Sequence, residues 1–204
     1  RYIFTDFTGA PRANTWYSAA LANKLAGEDV GPPCGFGGFP ACDESGDPDT
    51  GEDINATFTT ALDDGSCSFP RKWYYGLDAQ PTGGTSDFAT VVIHELGHGL
   101  GFQTFVKLTT GAKCCTGGIV QDDAYMVHLY DGTVGKTWDQ LTDAERLTSG
   151  TNTSNLLWNG PAVTAVAKSV LSGGVGLGDR ARMYAPNPSE SGSSVSHWDT
   201  AVSP

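Results

Sequence analysis

Residues 91–102, VVIHELGHGLGF, constrain the fold more than any other stretch of this chain. On a helix, side chains four apart share a face, so His94 and His98 point the same way. Two neutral imidazoles in that geometry can hold one metal ion through their ring nitrogens, and zinc suits them. Glu95 is rotated off the pair and can reach a water on the metal without being a ligand. Zinc lowers the pKa of such a water toward neutrality, and a carboxylate beside it takes the proton. The pattern H-E-x-x-H also arises on amphipathic helices whose histidines only fill a core or a surface. The apolar Val91-Val92-Ile93 before it favours the metal, as do Gly97, Gly99 and Gly101, which leave room for close approach.

A catalytic zinc takes three protein ligands and keeps a fourth position open. The chain has four histidines. His128, in AYMVHLYDG, lies among alternating apolar residues, a pattern of partial burial. His197, in GSSVSHWD, sits in a polar loop whose small neighbours let it approach a metal. Asp199 is a carboxylate alternative, or an orienting group for the histidine. Glu145 and Glu190 are downstream glutamates that could complete a two-histidine set, although Glu145 falls on the charged DAER face of a helix.

Residues 94–101, HELGHGLG, resemble the motif H-E-x-x-H-x-x-G-x-x-H of the metzincin clan of zinc endopeptidases. The eleventh position is Thr104, whose neutral hydroxyl is a poor zinc ligand, so the compact form of that site is missing. Gly101-Phe102 followed far downstream by Ser196-His197-Trp198-Asp199 resembles the leishmanolysin-like arrangement, in which a long insertion precedes the third histidine. The resemblance is strongest over residues 85–102 and 183–200. It implies His94, His98 and His197 as zinc ligands, with Glu95 activating the zinc-bound water and then protonating the leaving amine. It implies a secreted endopeptidase of α+β fold, one catalytic domain in two lobes. Residues 1–104 would carry a twisted sheet and the active-site helix, and residues 105–204 a loop-rich half. DINATFTTAL resembles the clan's strand along the substrate cleft. The clan's methionine turn follows the third ligand, whereas Met126 and Met183 both precede His197. Since 98 residues lie between His98 and His197, the tail must return to the helix.

Local patterns supply the remaining elements. YIFTDFTG and KWYYGLD read as strands, as does INATFTTAL, and residues 31–53 as a loop. NTWYSAALANKLAG reads as a helix capped by Asn14 or Thr15 and stopped by Gly27. A second helix runs from Phe88 to Leu100, capped by Ser86 or Asp87 and ended by Gly101. TWDQLTDAERLTSG is a helix capped by Thr142 or Asp143, and another follows Pro161. QDDAYMVHLYD is a short helix or strand, and the tail from Met183 is loop.

Twelve Lys and Arg against 23 Asp and Glu give a net charge of −11, which disfavours nucleic acid or an anionic membrane surface as partner. No apolar window is long enough to span a bilayer. A monomer acting on protein or peptide substrates is expected. Arg1 opens directly onto strand-like sequence, as a processed or trimmed chain would. Cys34, Cys42, Cys67, Cys114 and Cys115 lie in loops without a Cys-x-x-Cys pair, which suits a secreted chain with disulfides. Cys34–Cys42 is the first pairing, and Cys67 could then reach Cys114 or Cys115. The acidic run from Asp43 or Asp47 lacks the EF-hand glycine and glutamate, leaving only a looser cage for Ca2+, and Asp122 and Asp123 are similar. Asn55 and Asn152 open glycosylation sequons. Tyr74, Tyr75 and Tyr184 could supply an oxyanion donor. Two other functions stay open to these residues: a zinc hydrolase of a non-protein amide, and a non-catalytic binding or adhesion module. Glu95 argues against the second, since a degenerate site is free to lose its base.

Overall fold

The described residues form short strands and five α-helices, a mixed arrangement in keeping with the expected α+β class. The computed structural model describes residues 2–3, 6–30, 53–113, 115–116, 119–171 and 173–199. In chain order these hold β1 (Tyr2–Ile3), β2 (Thr15–Ser18), α1 (Ala19–Ala26), α2 (Ala61–Asp64), β3 (Lys72–Tyr74), β4 (Thr85–Asp87) and α3 (Phe88–Gly99). There follow β5 (Cys115–Thr116), β6 (Ile119–Val120), β7 (Asp122–Asp123), β8 (Leu129–Asp131), β9 (Lys136–Thr137), α4 (Asp143–Ser149), β10 (Leu156–Trp158) and α5 (Pro161–Val170). Among the described residues no helix is long and apolar enough to cross a membrane.

β2 is central in its sheet, antiparallel to β1 and parallel to β7. This corrects the helix expected from Asn14. Asn14 turns the chain at φ 51°, and the β-prone Thr15-Trp16-Tyr17 pair with strands on both sides, all of β2 being buried. The helix starts only at Ala19 and stops, as expected, at Gly27 in the left-handed region. INATFTTAL is also corrected. Residues 54–59 form no β-ladder, and Ala61–Asp64 is helical. Alternation makes a strand only where another strand is present to pair with it. Phe58 instead packs edge-on to Phe88 at 5.2 Å.

α4 begins at the expected Thr142, whose hydroxyl accepts from the Glu145 N–H while the Glu145 carboxylate accepts from the Thr142 N–H. α5 starts at Pro161, where the missing N–H costs nothing. QDDAYMVHLYD divides among β7, a 3₁₀ turn at Met126–His128 and β8.

The tail is more ordered than its composition suggests. Strands β9, β8 and β10 form a sheet, and residues 181–184 continue it without regular strand geometry. The Trp158 N–H donates to the Ala181 carbonyl and the Met183 N–H to that of Leu156, at 2.8 and 2.9 Å. On the other side the Tyr184 N–H donates to the His197 carbonyl and the Asp199 N–H to that of Arg182, at 2.8 and 3.0 Å. Beneath this ladder lies the main core, with Met126, Leu129, Trp138, Leu156 and Met183 fully buried. Phe102 and Trp198 pack against it from the site above.

Cys67 carries a free thiol, which corrects its expected bridge to Cys114 or Cys115. The Cys34–Cys42 pairing and the calcium cage at Asp43 or Asp47 fall outside the described residues. The Asn152 side-chain amide donates to Asp131 and Thr133, so that sequon nitrogen is engaged inside the protein.

Replacing Met183 with Ala removes a fully buried side chain from the core that supports the ladder. The expected loss is about 2–5 kcal/mol of unfolding free energy, read from the urea midpoint at unchanged slope.

Candidate metal centre

α3 is built to a definite stop. Asp87 occupies its N-cap position and accepts from the Thr90 hydroxyl at 2.6 Å. At the far end the Gly101 N–H donates to the His98 carbonyl at 2.9 Å and the Phe102 N–H to that of Gly97 at 3.0 Å, a Schellman closure. Gly101 has φ 99°, and a Cβ there would come within 3.1 Å of the Ser18 hydroxyl and 3.2 Å of Leu21. The conformation therefore calls for glycine, and a Cβ would also crowd the Ser18 and Leu21 side chains. The turn brings the Phe102 carbonyl back to the His98 Nδ1, 2.9 Å away.

The structure brings His197 to this helix, so His94, His98 and His197 lie close enough to bind a metal ion. Their Nε2 atoms are 3.0, 3.1 and 3.2 Å apart pairwise. Among the described residues no other trio of His, Cys, Asp or Glu side chains converges in this way. The His197 Nδ1 lies 2.8 Å from the Ser193 carbonyl. A carbonyl can only accept, so His98 and His197 each carry their proton on Nδ1 and present a bare Nε2 lone pair. Two such lone pairs 3.2 Å apart cannot hydrogen-bond to each other, and their convergence suits a shared cation. Tetrahedral zinc at 2.0–2.1 Å from each ligand spaces its nitrogens about 3.3–3.4 Å apart, close to what is seen, so the donor set fits that ion.

Burial, followed by the neighbouring His98 and His197, holds the His94 pKa below its ordinary 6.5, with Glu95 pulling the other way. A cleft of about 430 Å³ adjoins the centre, lined by Glu95, His98, Gly99, Ser18, Gln103 and segment 53–58. Glu95 thus shares a wall with a ligand without joining the trio, as its helical offset predicts.

The other candidates are engaged elsewhere. His128 is half-buried against the Trp158 ring at 5.1 Å, and burial lowers its pKa. Glu145 caps α4, and Glu190 bonds the Tyr184 hydroxyl. Asp199 is not among the converging side chains. Asp122 pairs with Arg12 and Lys113 at 3.1 and 2.6 Å, and Asp123 is enclosed by protein donors, so both expected calcium carboxylates are occupied by the chain itself. The Tyr74 and Tyr75 hydroxyls donate to Asp78 and Asp63, which removes them as oxyanion donors in this arrangement. Sequence reasoning missed the two carbonyl acceptors. The Gly101-Phe102 pair hinted at one; nothing local marks Ser193.

His197→Ala is expected to weaken zinc binding by more than about 100-fold, beyond the 10–100-fold typical of losing an outer-shell partner, measured by competition with a chromophoric chelator. Zinc affinity should also fall below pH 6.5, because the imidazoles must be neutral to bind. The same shift acts on the metal-free protein. A lowered histidine pKa lets the unfolded chain take up the proton first, so its urea midpoint drops as pH falls below 6.5 and is unaffected by this group above it. No family model, curated protein or solved structure matches this chain.

Proposed function

We propose that this chain is the catalytic domain of a secreted zinc endopeptidase with a metzincin-like fold, its third ligand supplied from far downstream as in leishmanolysin-like members. The observation that carries the reading is the convergence of three imidazole Nε2 atoms beside a cleft that also contains Glu95. Three neutral nitrogen donors suit zinc, and a set of three leaves one tetrahedral position open for reaction.

Bound zinc supplies Lewis acidity toward a water and a peptide carbonyl. His94, His98 and His197 hold it, their orientation set by the helix, by the Phe102 carbonyl and by the Ser193 carbonyl. The Glu95 carboxylate takes the proton of the attacking water and delivers it to the leaving amine nitrogen. Segment 53–58 lines the cleft outside any helix or strand, and its main chain can hydrogen-bond an extended peptide. The net charge of −11 and the Asp53 and Glu95 carboxylates in the cleft lining dispose the site toward neutral or basic peptides.

The test is cleavage of a casein-type substrate, reversible by chelator and zinc. Glu95→Gln should lower kcat by about 10²–10⁴-fold, the usual contribution of a general base, while zinc content stays at one per chain. Full activity in that variant would overturn the mechanism. Zinc binding without cleavage of any peptide by the unaltered chain would overturn the assignment as a protease.

A further inference from the structure

We infer that Asp123 is a positioning residue for the metal centre, joining the exit of α3 to the loop that carries His197. The inference rests on the metal reading above and deepens it.

Asp123 is 2% exposed, and both its oxygens are used twice. Oδ2 accepts from the Thr104 hydroxyl at 2.9 Å and the Phe105 N–H at 2.8 Å. Oδ1 accepts from the N–H groups of Tyr125 and Met126, at 3.0 and 2.6 Å. The first pair of donors belongs to the segment just past α3. Two residues before Thr104 stands Phe102, whose carbonyl orients His98. The Thr104 N–H also reaches the Ser196 hydroxyl, at 3.4 Å, beside His197. Thr104 occupies the position where the compact motif places its third histidine, and here that position serves to anchor the chain.

The second pair of donors fixes Tyr125. Its ring is buried against Phe102 and Trp158, at 5.1 and 4.9 Å, and its hydroxyl donates to the Val195 carbonyl at 2.9 Å. Val195 is fully buried with φ 72°, a left-handed conformation that β-branched residues rarely adopt. Its N–H is held by the Tyr184 carbonyl at 2.7 Å, so both of its backbone polar groups are pinned. His197 follows two residues later. One carboxylate therefore sets the helix exit on one side and the third ligand's loop on the other.

Three of the four partners of Asp123 are backbone N–H groups, which can only donate, so the site calls for an acceptor on both oxygens. Burial pushes its pKa up to about 6 while the four donors pull it down, and it is ionised at neutral pH. An amide of the same shape must turn its NH₂ toward at least one backbone N–H, which can only donate, and so loses a bond on one side of the junction.

The experiment compares the full chain with Asp123→Asn, Tyr125→Phe and Asp131→Asn. Asp131 is an equally buried carboxylate that accepts from Thr133, Val134 and Asn152 and touches neither the helix exit nor the His197 loop. Zn2+ affinity is measured by chelator competition, the visible absorption of the Co2+-loaded protein reports ligand geometry, and urea unfolding of the metal-free chain reports stability. Asp123→Asn should bind zinc about 10–100-fold more weakly and alter the Co2+ spectrum, as expected for loss of a group that orients ligands. Tyr125→Phe should move both readings in the same direction, and it decides the matter if Asp123→Asn does not fold. Asp131→Asn should lower the urea midpoint and leave affinity and spectrum unchanged. Zinc affinity and Co2+ spectra like the unaltered chain's in both Asp123→Asn and Tyr125→Phe would overturn the inference alone, as would equal weakening in Asp131→Asn. Failure of the unaltered chain to take up zinc would overturn the metal reading, and this inference with it.

Discussion

Residues 181–184 bond to β10 on one side and to the segment containing His197 on the other, and the candidate metal centre depends on that ladder. Helix α3 can align His94 with His98 unaided. The third imidazole takes its place from a sheet and core assembled far from the helix. The resulting cluster has the character of a cation site. Carbonyl acceptors keep the His98 and His197 protons on Nδ1 and leave two lone pairs facing each other at 3.2 Å. A cation held there would bridge positions separated by 98 residues, a long loop whose closure the unfolded chain lacks. An ion bound only by the folded state would add its binding free energy to folding.

The second half shows how a loop-rich segment can be buried at all. Backbone polar groups away from water need partners, and regular strands there are only two or three residues long. Buried charged side chains fill the deficit. Arg146, 2% exposed, donates to the carbonyls of Gly111, Trp138 and Leu141 and pairs with Asp143. Asp131 accepts from the turn at Thr133 and Val134, and Asp123 from Phe105 at the helix exit and from Tyr125. These side chains satisfy backbone groups that the short ladders leave unpaired.

Helix α3, its stop at Gly101, the Thr142 cap and the Pro161 start were legible because each rests on residues within one or two turns. Errors arose where a partner decides. Trp16 and Tyr17 fit a helical period, yet β1 and β7 flank them and make them strand. The alternation of INATFTTAL meets no ladder, and the segment instead lines the cleft. Asp122 and Asp123 looked like oxygen ligands for a cation, but Arg12, Lys113 and backbone N–H groups surround them.

From its sequence alone this chain determined a helix with two histidines on one face, a base offset from them, and a need for a ligand from elsewhere. Those are local properties of spacing and capping. Tertiary structure decided that His197 meets the pair while His128 stays against Trp158. It also decided that Thr104 anchors to Asp123 and that the Ser193 carbonyl sets the third imidazole. Each of these outcomes depends on hydrogen bonds between segments distant in the chain, which periodicity and spacing do not encode.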